Sequence, residues 1–283
     1  MQGKPRPEPG RLFLVGGAAR LALLRFVRLA GGKRAHIVVM PHASARPAEV
    51  SRELQDELAA CGAGKVSILT PGSATGIPAG ATAVYLAGGD QSRLVRRLAG
   101  AQRSHLSNFL MTGGLVGGSS AGAAAMPLTM IAGGMSDGVL RNGALRLKPG
   151  LGLLPAAVVD THFSERQRFN RLMAAVTLLP GTLGIGLDED TAIEVAACGT
   201  ASVHGKGHAW FFVPGQRHAS SLGRSSGRRK ASVSGVEVSS LCDGERFDLG
   251  ARRWVSKPLS GSNVANEKVD PDDAGLGERF FPR

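Results

Sequence analysis

Apolar residues fall along this chain in two alternating rhythms, and the alternation predicts the fold. Arg11–Val15 (RLFLV) is a short apolar run closed by Gly16 and Gly17, and across 19–30 the leucines and Phe26 recur at helical spacing. A strand, a glycine turn and a helix follow from this. Residues 37–40 (IVVM) predict the next strand, 47–61 a helix with proline in its first turn, and 66–69 a third strand. Beyond a Gly/Pro/Ser loop at 71–80, Ala83–Leu86 (AVYL) resumes the sheet and stops at Gly88, Gly89, Asp90 and Gln91; 94–111 then reads as helix with a break near Gly100. Strands that are apolar throughout and alternate with helices indicate a mostly parallel sheet covered on both faces, an α/β fold.

The stretch 113–126 (GGLVGGSSAGAAAM) is a short apolar strand that turns through glycines and serines into an alanine-rich helical start. Gly118 to Gly122 fit the G-x-S-x-G elbow, in which a sharp strand-to-helix turn exposes a serine hydroxyl. Ser120 would be the nucleophile, with the Ala121 N–H facing the oxyanion. One such match decides little, because Gly223 to Gly227 fit equally well in a basic, serine-rich stretch with no strand before and no helix after. A glycine turn that merely packs a helix close to a sheet is the competing reading.

Parallel sheets present ligands beyond the carboxyl ends of their strands, so the turn at 88–91 and the serine elbow should share one rim. Gly89 or its neighbour could then supply a second oxyanion N–H; alternatively, Asp90 simply caps the next helix. Residues 156–163 (AAVVDTHF) read as a buried strand with Asp160 and His162 two apart at its end, on one side. Ser164 is then a candidate N-cap and 165–178 a helix, with Arg166, Arg168 and Arg171 in its first two turns. Cations there oppose the helix dipole, which an anionic ligand would relieve. Residues 184–194 (GIGLDEDTAIE) predict a strand carrying Asp188, Glu189 and Asp190, one of which could orient a histidine base.

Composition and charge narrow the classes. The 283 residues are 43% hydrophobic, enough for a large buried core. No apolar run is long enough to span a membrane and the first ten residues lack the apolar core of a signal peptide, so a cytoplasmic protein with no membrane contact is expected. Three cysteines without ligand or pairing spacing predict neither disulfides nor a metal site, and no cofactor is implied. The net charge of +12 raises nucleic acid as a partner, with eight Lys or Arg against one acid in residues 1–34 and a second cluster at 228–230. Neither cluster is interleaved with aromatics and no nucleic-acid motif accompanies them, so nucleic acid is not the expected partner.

Three blocks, GGSSAGAAAM, VDTHFSERQRFNRL and GIGLDEDTAIEV, resemble in order and spacing the signature blocks of the cyanophycinase family, serine exopeptidases related to dipeptidase E. SVSGVEVSSLCDGERFDL resembles that family's last strands, so the resemblance covers about 10–250. It implies a three-layer α/β/α sandwich like class I glutamine amidotransferases, with extra antiparallel strands in the C-terminal third. The order Ser, His, acid agrees with this and departs from α/β-hydrolases, where the acid precedes the histidine. By the resemblance Ser120 is the nucleophile, His162 the base and Glu189 its orienting acid, with Gln91, Asp160, Thr161, Arg166, Arg168 and Arg171 as substrate contacts. Thr161 stands where the family commonly has glutamine.

The implied reaction is release of β-Asp-Arg dipeptides from cyanophycin, the implied partner is that polymer or an aspartyl peptide, and the family suggests a homodimer. The alternatives are a dipeptidase for α-aspartyl or isoaspartyl peptides and a non-catalytic polyanion-binding module. The expected organisation is a flexible 1–10, one catalytic domain over 11–254 with a loop or insertion at about 219–231, and a disordered tail at 255–283.

Overall fold

The structure is a computed structural model and describes residues 10–17, 20–98, 100–134, 139–143, 145–223 and 229–255. The expectations for the N-terminus before Gly10, the tail beyond Val255, the second elbow match after Gly223 and the middle of the 219–231 stretch lie outside the described residues. In chain order the first half holds β1 (Arg11–Val15), α1 (Arg20–Leu29), β2 (His36–Met40), α2 (Pro47–Ala60), β3 (Lys65–Ile68), β4 (Ala83–Leu86), α3 (Gln91–Arg97), α4 (Ala101–Met111), β5 (Leu115–Ser119) and α5 (Ala121–Ala124). The second holds β6 (Thr129–Gly134), β7 (Leu145–Pro149), β8 (Ala157–Thr161), α6 (Phe169–Leu178), β9 (Leu183–Leu187), β10 (Thr191–Val195), β11 (Thr200–Gly205), β12 (Ala209–Ser220), β13 (Val233–Leu241), β14 (Arg246–Asp248) and β15 (Arg253–Val255).

The main sheet has the order β15-β14-β11-β10-β1-β5-β4-β2-β3. Pairings from β3 to β1 are parallel, and those from β1 to β15 antiparallel. Because side chains alternate across a strand, a fully apolar strand feeds two cores at once. Phe13, Val15, Ile37, Val39 and Tyr85 pack with Phe26 and Leu58 on the α1/α2 side. Leu12, Leu14, Val38, Met40, Val84 and Leu86 face Leu94, Leu106 and the alanines of α5 on the other. The fold is the expected α/β sandwich.

Two expectations need correction. The stretch 184–194 is not one strand. It breaks at Asp188–Asp190 into β9 and β10, which belong to different sheets, and Asp190 takes φ 51° in the turn. A second sheet, β13-β12-β9-β8, packs Ile185 and Phe211 into the core beneath the main sheet, while α6 covers its other face through Leu172, Val176 and Phe212. Nor does a helix begin at Ser164. Gln167 adopts φ 50°, which helical backbone cannot accommodate, so α6 starts only at Phe169. The Ser164 N–H and hydroxyl donate instead to Asp188 Oδ1, at 3.0 and 2.7 Å. Arg166 therefore lies in a turn, Arg168 caps α6 and Arg171 alone of the three is helical. Among the described residues no helix is long and apolar enough to cross a membrane.

Candidate active site

The two sheets meet at the carboxyl end of β1. Val15 O accepts the Ser120 N–H at 2.9 Å, and Gly16 O accepts the His162 N–H at 2.9 Å. One strand end thus holds two residues that are distant in sequence and belong to different sheets. Ser120 leaves β5 with φ 52° and ψ −111°, and His162 leaves β8 with φ 48°. Non-glycine residues in such regions cost on the order of 1–3 kcal/mol each and persist where the surroundings over-determine them. The same φ carries His162 beyond the strand, so the alternation that would put it beside Asp160 does not reach it.

The glycines of the elbow serve packing. A Cβ on Gly118 would come within 2.8 Å of the Gly122 carbonyl carbon, and one on Gly122 would collide with Leu86 O. The close-packing role of the turn and a half-buried serine hydroxyl aimed at His162 therefore coexist. At the turn Ser120 Oγ lies 2.8 Å from His162 Nε2, and His162 Nδ1 lies 2.6 Å from Glu189 Oε1. A carboxylate only accepts, so Nδ1 carries the proton, Nε2 is left as acceptor, and the serine hydroxyl donates to it. The imidazole is largely buried and Glu189 is partly open to solvent.

The remaining predicted residues divide. Gly89 is exposed at φ 140°, and a Cβ there would collide with Ala43 O, so the 88–91 turn requires glycine. A Cβ on its neighbour Gly88 would sit 3.7 Å from Ser120 Cβ, which puts this turn beside the elbow. Asp90 does cap α3, accepting from Arg93 N at 2.7 Å. Gln91 is half-buried, with Nε2 donating to Ile131 O at 2.7 Å. Ala121 is buried as the first residue of α5.

Asp160 and Thr161 are also buried, at 2% and 3% exposure. The Asp160 carboxylate accepts from Thr161 N at 3.0 Å, Arg168 Nη1 at 3.0 Å and Arg171 Nε at 2.7 Å, with Arg171 Nη2 closer still. Burial pulls the Arg168 guanidinium below its ordinary pKa, Asp160 opposes this, and Arg171 and Arg166 add to it. These four residues thus have a different setting from the open contacts that the resemblance implies for them. Arg166, by contrast, is exposed, and its backbone N–H is held by His162 O at 3.1 Å.

Gly16 and Gly17 are the residues that sequence reading passes over as a turn. A Cβ on Gly16 would strike the Leu187 and Asp188 carbonyls, and one on Gly17 would stand 2.7 Å from His162 Nδ1 and 2.9 Å from Glu189 Cγ. Their only sequence signal is a glycine pair closing the first strand. Gly17→Ala should therefore push the imidazole off line and lower kcat on the order of 100-fold. Steady-state kinetics beside a circular dichroism spectrum that stays native checks this.

A sizeable hollow lies away from the site. A cavity of about 670 Å³ lined by Gly76, Pro78, His105, Phe109 and Gly113 contains none of these residues. Among the described residues no cluster of His, Cys, Asp and Glu is arranged to hold a metal ion.

Comparison with known proteins gives an independent line. The model of peptidase family S51 matches residues 12–201. The chain is similar to the cyanophycinase of Trichormus variabilis, at 32% identity over 263 residues that cover 88% of each chain. It is also similar to the cyanophycinase of Synechococcus elongatus, at 31% identity over 255 residues, covering 85% of this chain and 79% of that one. Among solved structures, a peptidase from an acI-B1 Actinobacterium shares the fold with a TM-score of 0.58 at 19% identity, over 85% of this chain and 97% of that one.

Proposed function

The chain belongs to peptidase family S51 and is a serine-type peptidase, and from that premise we propose that it degrades cyanophycin to β-Asp-Arg dipeptides through Ser120, His162 and Glu189. The observation that carries the reading is the unbroken line from Ser120 Oγ to His162 to Glu189 Oε1, with contacts of 2.8 and 2.6 Å. His162 Nε2 takes the hydroxyl proton as Oγ attacks the backbone carbonyl, and returns it to the departing amine. Glu189 fixes the tautomer and stabilises the imidazolium. The Ala121 N–H and an N–H of the Gly88–Gly89 turn hold the oxyanion, and water then releases the acyl-enzyme.

Substrate selection falls to the groups left uncommitted. With Arg168 and Arg171 engaged by Asp160, Arg166 is the exposed guanidinium available to a substrate carboxylate, and Gln91 keeps its amide oxygen as an acceptor. Buried Thr161 offers no amide where the family commonly has glutamine, which favours a second reading: a dipeptidase for isoaspartyl or α-aspartyl peptides. Membership of a peptidase family weighs against the non-catalytic polyanion-binding module. Mass analysis of products after incubation with purified cyanophycin separates the two enzymatic readings. Accumulating β-Asp-Arg is the expected result; intact polymer together with cleaved isoaspartyl dipeptides would replace the first reading by the second.

A further inference from the structure

We infer that Asp188 is a positioning residue for the catalytic centre, a buried carboxylate that clamps the turn carrying Glu189 to the turn that follows His162; the inference rests on the triad reading above. Asp188 is 5% exposed. Its Oδ1 accepts the Ser164 N–H at 3.0 Å, the Ser164 hydroxyl at 2.7 Å and the Trp210 Nε1–H at 3.2 Å. Its Oδ2 accepts the His208 N–H at 3.0 Å and shares the indole proton at 3.3 Å. Three segments therefore converge on one side chain: the β9–β10 turn, the 162–168 turn and the start of β12.

The chemistry of the donors explains why an acid stands there. Every partner offers hydrogen, and only an ionised carboxylate accepts on both oxygens without presenting a donor of its own. Among the described residues no lysine or arginine pairs with it. His208, a cation only when protonated, places its Nδ1 3.9 Å from Oδ2. Burying a carboxylate next to Glu189 without a cation is unfavourable unless its hydrogen bonds are complete. Here they are, and what they hold is the relative placement of residues 162 and 189. The backbone adds one strut, Phe163 N–H to Leu187 O at 3.1 Å, the exposed Glu165 adds another by accepting the Glu189 N–H at 3.1 Å, and the Asp188 carboxylate supplies the buried part of the tie.

Asp188→Asn keeps the size but turns an amide group against either the Ser164 donors or the His208 N–H. We expect kcat to fall on the order of 10- to 100-fold, as displacement of a catalytic group by a fraction of an ångström to an ångström does. KM should stay within about twofold, since no substrate contact is removed. Fluorophosphonate labelling of Ser120 should slow in proportion to kcat. Unchanged kcat and labelling in a folded variant, or a loss confined to KM, overturns the inference.

Should that variant fail to fold, Trp210→Phe and Ser164→Ala each delete one donor, and each should lower kcat several-fold with KM held; kcat unchanged in both overturns it equally. Ser120→Ala run in parallel keeps the two ideas apart. Hydrolysis surviving Ser120→Ala sinks the triad itself, whereas an inert Ser120→Ala beside a fully active Asp188→Asn sinks only the positioning role.

Discussion

Ser120→Ala should lower kcat/KM on cyanophycin, or on whichever aspartyl peptide proves to be the substrate, by about 10⁴-fold or more. The hydroxyl is the only group on the line that can form the acyl bond, and His162 has nothing to activate once it is gone. Alanine fits the position as well as serine does. It suffers the same φ of 52°, and the Ser120 N–H to Val15 O bond that fixes the elbow belongs to the backbone. A native melting curve is therefore expected beside the lost activity. Because the members of a triad act as a unit, His162→Ala should cost about as much, and the double variant little more. Glu189→Gln should cost about 10³- to 10⁴-fold, because an amide NH₂ facing Nδ1 favours the wrong tautomer. Steady-state kinetics on the four variants tests this, and full activity in Ser120→Ala would remove the serine mechanism.

The pattern of the chain made the strands legible for a simple reason. In β1, β2 and β4 every position after the first is buried in one core or the other because each face of the sheet meets its own core, and four or five such residues between turns are too few for a buried helix. Ser120 and His162 were legible as chemistry because each sits where an apolar run ends, whereas Glu189 was singled out from its acidic neighbours only by the family resemblance; the structure brings the three within hydrogen-bond reach. What stayed hidden depends on partners remote in sequence. Nothing near Gly17 announces that His162 and Glu189 will occupy the space of its missing Cβ. Likewise, Asp188, Glu189 and Asp190 look alike as a run of acids. Their divergence comes from where the chain turns: Asp188 inward to the Ser164 and His208 donors, Glu189 to the imidazole, and Asp190 into the left-handed turn that sends β10 to the other sheet. The break at Gln167 was equally silent, since its residues have ordinary helix propensity and what competes with a helix there is tertiary: Asp188 on Ser164, the Glu189 N–H on Glu165 and Asp160 on Arg168.

Asp160→Ala should unfold the protein more readily rather than merely weaken substrate binding. The carboxylate is 3% exposed at its side chain, and the Arg168 and Arg171 side chains that converge on it are 13% and 9% exposed. Removing the acid leaves two guanidinium groups in low dielectric with no counter-charge, a change that typically costs about 3–5 kcal/mol. For a chain of this size the melting temperature should drop on the order of 10 °C. The loss comes from stranded cations rather than from the worth of the ion pair. Adding Arg171→Met to Asp160→Ala should then recover part of the stability, since apolar replacements of buried ionic clusters are often neutral. Thermal melts and urea titrations of the single and double variants read this directly. A variant that melts normally but shows a raised KM would instead return Asp160 to the open substrate contact implied by the resemblance. Recovery in the double variant would locate the loss in the stranded guanidinium groups and hold Asp160 to the buried ion-pair cluster seen in the structure.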